Sequence, residues 1–175
     1  MIEGVRFGRV ERHADERGSF RELWRESWFA GQRFVQANAS VSAPGVLRGL
    51  HLHRQQIDHW VVTRGRAFVA LVDVRPVLAG GGKPIVETYE MAVDDWCVLP
   101  AGVAHGFLAL EQLEMLYLVT AEYDVSDELG FAWDDPDAAV HWPPADTPDG
   151  RPIVSDRDRA NPPLVELIAH VRGGP

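Results

Sequence analysis

The chain contains 175 residues, 46% of them hydrophobic, and carries a formal net charge of −9. This length fits a single domain, residues 1–175, with a substantial core. The acidic balance excludes a protein that coats nucleic acid, and a single cysteine, Cys97, excludes an internal disulfide framework. No apolar run approaches the roughly 18 residues that span a bilayer, and no secretion signal is recognisable. We therefore expect a cytoplasmic protein with no membrane partner.

The N-terminal part of the chain predicts short strands joined by polar turns. Alternating apolar residues within 1–12 indicate a first strand, and the polar turn 13–18 leads into a second strand that begins at Phe20 and includes Trp24. Residues 25–33 fit a short helix or a loop.

The segment from Phe34 to Val41 alternates strongly and places Gln36, Asn38 and Ser40 on one face of a predicted strand. Burying three polar side chains without partners would cost roughly 1–3 kcal/mol each. We therefore expect these side chains to line a polar cavity that receives a ligand.

A central stretch, residues 45–65, holds the main chemical groups and reads GVLRGLHLHRQQIDHWVVTRG. His51 and His53 are two apart and face the same side of a strand, and Asp58 rejoins that face after a polar corner. His105 ends the segment PAGVAH at the mouth of another apolar strand. If the sheets close on each other, these four residues form a set that could bind Zn, Fe, Mn or Ni and leave positions open for substrate.

The remaining pattern predicts more strands and one helix. The apolar run 67–74 indicates a strand buried on both faces, and further strands are predicted at 85–91, 96–99 and 113–123. A short helix is predicted near 164–171.

These motifs resemble two nested families. The histidine spacing, followed by P-x-G-x2-H, is similar to the two signature motifs of the cupins, which implies an all-β double-stranded β-helix, or jelly roll, with short flanking helices. A narrower resemblance, to the dTDP-4-dehydrorhamnose 3,5-epimerases, covers nearly the whole chain. The motifs that carry it are Arg17-Gly18-x-Phe20-x-Glu22, Gln36-x-Asn38-x-Ser40, Gly45-Val46-Leu47-Arg48-Gly49-Leu50-His51, Val72-Asp73-Val74-Arg75, Ala104-His105-Gly106-Phe107, Tyr117, Asp134-Asp135-Pro136 and Ser155-Asp156-Arg157-Asp158.

The narrower resemblance implies a cofactor-independent epimerase that acts at the 3- or 5-carbon of a dTDP-4-keto-6-deoxysugar. It matches His51 to the general base, Asp158 to its orienting partner and Tyr117 to the general acid. It also implies a homodimer, in which a hairpin crosses to complete the neighbouring subunit's nucleotide pocket. The resemblance implies that substrate is bound by Arg17, Phe20, Glu22, Gln36, Asn38 and Tyr123. Two further substrate-binding candidates are Arg48, whose guanidinium has paired donors suited to a diphosphate, and His105.

Two positions depart from the epimerase pattern. A lysine of the family is replaced by Asp58, and the aspartate that accompanies it is replaced by Val69. Losing one donor to a developing oxyanion costs on the order of 3–4 kcal/mol. Two alternatives therefore stand beside the epimerase: a metal-dependent isomerase, cyclase or oxygenase that uses His51, His53, Asp58 and His105, and a nucleotide-sugar-binding protein without turnover.

Overall fold

Two β-sheets face each other in the computed structural model, which describes residues 1–29 and 31–173. Strands are numbered in chain order. The first sheet has the order β1 (Arg6–Arg9), β9 (Asp95–Leu99), β6 (Asp58–Arg64), β11 (Leu113–Val119) and β4 (Gln36–Ser42). The second has the order β12 (Leu129–Gly130), β5 (Val46–Leu52), β10 (Val103–Ala109), β7 (Arg66–Asp73) and β8 (Ile85–Ala92), with β13 (Ile153–Val154) parallel to β5.

Short elements flank the sheets. The strands β2 (Arg12–Asp15) and β3 (Gly18–Arg21) form a separate hairpin, and Glu26–Trp28 form a single 3-10 turn. The α-helices are α1 (Arg75–Leu78), α2 (Asp156–Arg159) and α3 (Leu164–Gly173). This all-β arrangement with short flanking helices agrees with the predicted class. Within the described residues, no helix is both long and apolar enough to cross a membrane.

The strand β7 contributes side chains to two hydrophobic cores, one on each face of its sheet. Its side chains alternate between faces, so Val69 and Leu71 enter the core between the sheets, while Ala70 and Val72 enter the core under α3. All four are fully buried, which confirms the prediction of a strand buried on both faces.

Two predicted strands are shorter in the structure. The second strand of the hairpin ends at Arg21, because Trp24 leaves it and packs edge-on against Phe34. The strand predicted over 113–123 ends at Val119, so Tyr123 lies on the following loop. Of the segment 25–33, Ala30 lies outside the described residues.

Candidate active site

A cavity of about 340 Å³ lies between the two sheets. Most of the predicted site residues line it: Gln36, Asn38, Arg48, His51, His53, Asp58, His105, Tyr117 and Tyr123. The cavity therefore brings together residues from β4, β5, β6, β10 and β11, which are far apart in sequence. Gln36, Asn38 and Ser40 share the cavity-facing side of β4, as their alternation predicts.

His51 is held by a carboxylate from the C-terminal part of the chain. Its Nε2 lies 2.7 Å from Oδ1 of Asp158, which belongs to α2. The other carboxylate oxygen accepts the Gly49 backbone N–H at 3.3 Å, and the Ser155 hydroxyl caps α2 by accepting the Asp158 N–H at 3.1 Å. Asp158 is thus fixed at both ends and can orient the His51 ring.

The Asp158 carboxyl stays ionised in this setting. Burial alone would raise its pKa, but the hydrogen bonds from His51 and from the Gly49 N–H lower the pKa below its ordinary value. A carboxylate at this position favours the tautomer of His51 in which Nε2 carries the proton. Nδ1 is then the free basic atom of His51.

Tyr117 faces the cavity from the opposite sheet. It lies on β11, between Asn38 on one neighbouring strand and Trp60 on the other. Burial raises the pKa of its hydroxyl above the ordinary value, although the nearby Arg48 guanidinium acts in the other direction. The hydroxyl is therefore protonated at neutral pH, as a proton donor must be.

His53, Asp58 and His105 form a second, deeper cluster. All three are at most 5% exposed, and one ligand atom from each lies within 4.8 Å of the others. His51, the fourth member of the predicted metal set, is not in this group, and its Nε2 is paired with Asp158 instead.

The polar wall of the cavity is held by hydrogen bonds. Gln36 donates to the Asn38 side chain at 2.9 Å and accepts the Tyr123 backbone N–H at 2.9 Å. Arg48 is anchored by the Ser42 hydroxyl at 3.0 Å and by a backbone carbonyl of β4. These contacts hold the amide and guanidinium groups against the cavity.

The hairpin residues predicted to bind substrate lie outside the cavity of their own chain. Arg17 pairs with Asp15, Glu22 pairs with Arg25, and Phe20 is 64% exposed. None of these three residues lines the cavity of its own chain.

Sequence reasoning missed three polar residues that line the cavity: Gln56, Glu128 and Arg157. Glu128 and Arg157 form an ion pair of 2.5 Å, and Gln56 donates to the Asp58 carboxylate at 2.8 Å. Nothing in the local periodicity marks Glu128, because it precedes β12 in a segment that has the composition of a loop. Its position follows from the pairing of β12 with β5 beside His51.

Residues 1–166 match the family described as dTDP-4-dehydrorhamnose 3,5-epimerase. The chain belongs to this family. A member from Sinorhizobium fredii, named dTDP-4-dehydrorhamnose 3,5-epimerase, is 35% identical over 175 residues, covering 95% of this chain and 88% of the relative.

Solved structures of family members share the fold. The rmlC epimerase of Mycobacterium tuberculosis superimposes with a TM-score of 0.81 at 33% identity, covering 96% of this chain and 88% of that one. ChmJ, a 3'-monoepimerase from Streptomyces bikiniensis in complex with dTDP-quinovose, gives a TM-score of 0.81 at 31% identity, covering 94% and 85%. The predicted double-stranded β-helix is thereby confirmed.

Both departures from the family pattern are visible in this epimerase-family member. Asp58 turns into the cavity, where Gln56 and the Trp60 indole N–H both donate to its carboxylate. Val69 is fully buried in the apolar core between the sheets. A carboxylate therefore stands in the cavity where the resemblance implies a lysine.

Proposed function

We propose that this protein inverts a carbon next to the ketone of a dTDP-4-keto-6-deoxysugar, at C3, at C5 or at both. The observation that carries the proposal is the placement of the two proton-transfer groups. His51, backed by Asp158, and Tyr117 lie on facing sheets with the cavity between them. The family assignment favours this epimerase over a cyclase, an oxygenase or a binding protein without turnover.

The first step is removal of a proton from the carbon beside the ketone. With Nε2–H donated to Asp158, the Nδ1 lone pair of His51 accepts that proton, and the electron pair moves onto the carbonyl oxygen to give an enolate. The Asp158 carboxylate stabilises the imidazolium that forms. The pair thus serves as a general base without a cofactor.

The second step returns a proton to the opposite face of the same carbon. Tyr117 projects from β11, on the sheet opposite His51, so a sugar between the sheets exposes one face to each residue. The protonated hydroxyl gives its proton to the enolate carbon as the ketone re-forms. Removal from one face and delivery to the other inverts the centre.

The remaining cavity residues fit the rest of a nucleotide sugar. The guanidinium of Arg48 offers paired donors suited to a diphosphate, and Gln36 and Asn38 present amides to sugar hydroxyls. His105 contributes a buried neutral imidazole, and Tyr123, which is 64% exposed, can stack on the base.

The protein further acts as a homodimer in this proposal, with the β2–β3 hairpin reaching the neighbouring subunit's cavity. Arg17 in the hairpin turn and Phe20 on β3 are exposed, whereas Glu22 follows β3 and is partly buried; none of the three lines its own chain's cavity. The family resemblance, in which this hairpin completes the neighbouring subunit's nucleotide pocket, supports the assignment.

The proposal is tested by isotope uptake. The protein is incubated with dTDP-4-keto-6-deoxyglucose in D2O, and the C3–H and C5–H proton resonances are followed by NMR. We expect the wild-type protein to introduce deuterium at one or both carbons and to form an epimer. The His51→Ala variant should show neither deuterium uptake nor the epimer. His170→Ala, a change at an exposed histidine of α3, serves as the control. Absence of deuterium uptake from the wild-type reaction would refute the proposal.

A further inference from the structure

The Asp58 carboxylate lies in the cavity without a positively charged partner. It is 4% exposed, and its donors, at 2.8 Å and 3.2 Å, are the neutral Gln56 amide and the neutral Trp60 indole. Within the described part of the chain, the only basic group within 4.0 Å of it is His105, at 3.6 Å. Burial lowers the pKa of His105 to about 4, so this ring is uncharged at pH 7.

The arginines that line the cavity do not supply the missing charge. Arg48 donates to the Ser42 hydroxyl at 3.0 Å and to a backbone carbonyl of β4, and Arg157 pairs with Glu128 at 2.5 Å. A buried carboxylate without a countercharge is costly. The cavity therefore favours a ligand that brings a cation to Asp58.

Two histidines beside Asp58 add acceptors and no donors. Nδ1 of His53 lies 2.9 Å from the carbonyl oxygen of Asp127, and Nδ1 of His105 lies 3.1 Å from that of Val103. A carbonyl oxygen only accepts, so each Nδ1 carries the hydrogen and each Nε2 keeps a bare lone pair. Together with the Asp58 carboxylate, the cluster offers three acceptors to a ligand in the cavity.

The spacing of these acceptors suits a protonated primary amine. One ring nitrogen of each histidine and one carboxylate oxygen lie within 4.8 Å of one another. An ammonium group has three donors and no acceptor, and a nitrogen that donates along two tetrahedral directions holds the two acceptors about 4.7 Å apart. The closer pair, His105 Nε2 and Asp58 Oδ2 at 3.6 Å, can share one N–H as a bifurcated bond. A hydroxyl group, with its single hydrogen, would leave two acceptors unpaired.

We propose that the sugar bound in this cavity carries an ammonium group, which His53, Asp58 and His105 bind. The inference rests on the proposed function, because it narrows the substrate class of that site. His105 lies opposite His51 on the neighbouring strand, so the acceptors adjoin the base that acts on the sugar ring.

The chemistry of the sugar limits where the amine can be. In a nucleotide-linked 4-keto-6-deoxyhexose, C1 carries the diphosphate, C4 is the ketone and C5 carries the methyl group, which leaves C2 and C3. An amine on C3 would also lie beside the carbonyl carbon, where its positive charge stabilises the enolate. The inferred substrate is therefore a 2-amino or 3-amino sugar of this class.

Binding of unreactive analogues tests the inference without turnover. dTDP-6-deoxyglucose, which has no ketone, is compared by calorimetry at pH 7 with its 2-amino and 3-amino counterparts, with a chelator present. We expect one amino analogue to bind about 10- to 100-fold more tightly than the hydroxyl compound, the range for hydrogen bonds to a charged group. Asp58→Asn, which keeps the shape of the side chain without its charge, should lose most of this preference. Asp156→Asn, at a 98% exposed carboxylate of α2, should keep it.

The outcomes separate this inference from the epimerase itself. Equal affinity of the wild-type protein for the hydroxyl compound and both amino analogues overturns the inference, whether or not the variant folds. A preference that survives in full in Asp58→Asn of wild-type melting temperature also overturns it. In either case, deuterium uptake into dTDP-4-keto-6-deoxyglucose would leave the epimerase standing. Preferred binding of an amino analogue without deuterium uptake into any ketosugar refutes the epimerase and leaves the amine site.

Discussion

Replacing Asp158 by asparagine tests the general base most sharply. The introduced amide would keep an oxygen for the Gly49 N–H and present its NH2 group to Nε2 of His51, 2.7 Å away in the native pair. The ring would then move its hydrogen to Nδ1, the atom that must accept the substrate proton. The corresponding change in a serine protease lowers kcat about 10⁴-fold.

The expected loss here is about 10² to 10⁴ in kcat, or about 3–5.5 kcal/mol of barrier. The lower limit applies because the His51 side chain is 26% exposed, so water can support part of the correct tautomer. The rate of deuterium uptake into the ketosugar is the assay, and thermal melting checks that the variant is folded. Asp156→Asn, on the same helix with a 98% exposed side chain, is the matched control. Equal rates for the two variants would refute the assignment of Asp158.

Three further predictions concern the fold and the proton donor. Gly49→Ala should lower the free energy of unfolding by about 2 kcal/mol or more, because φ is +132° at Gly49 and an added Cβ would lie 2.6 Å from the Gly106 Cα. Urea unfolding measures this free energy. The control is Gly81→Ala, which should change it little because the space around Gly81 is open. Cys97 is fully buried with a raised pKa, so a thiol reagent at pH 8 should label the protein only after unfolding. Because burial raises the pKa of Tyr117 above the ordinary tyrosine value of about 10, kcat should not decline on the alkaline side until the pH exceeds that value, and a decline with a midpoint below it would contradict the role of Tyr117 as proton donor.

Alternation along strands predicted much of the cavity correctly. It placed Gln36 and Asn38 on one face of β4, and His51 and His53 on the cavity side of β5 and its end. These predictions succeed because a strand's two faces depend only on local geometry. The same rule sends His59 to the other side of β6, where it packs among aromatic rings.

Contacts between residues far apart in the sequence could not be predicted from strand alternation. The pairing of His51 with Asp158 spans 107 residues and came only from the family resemblance. That pairing also removed His51 from the expected metal set, which alternation alone could not foresee. Glu128 lines the cavity because β12, which follows it, pairs with the edge strand β5. The sequence around Glu128 does not predict this pairing.

The central claim is that base and acid act from opposite faces of the sugar, and Tyr117→Phe tests it most directly. The measurement is the ratio of deuterium uptake to inversion when dTDP-4-keto-6-deoxyglucose is incubated with the variant in D2O. With His51 intact and the donor on the facing sheet removed, we predict that deuterium still enters the sugar while the original configuration is mostly kept. A variant that exchanges and inverts in the wild-type ratio would contradict the assignment of Tyr117 and the two-faced mechanism with it.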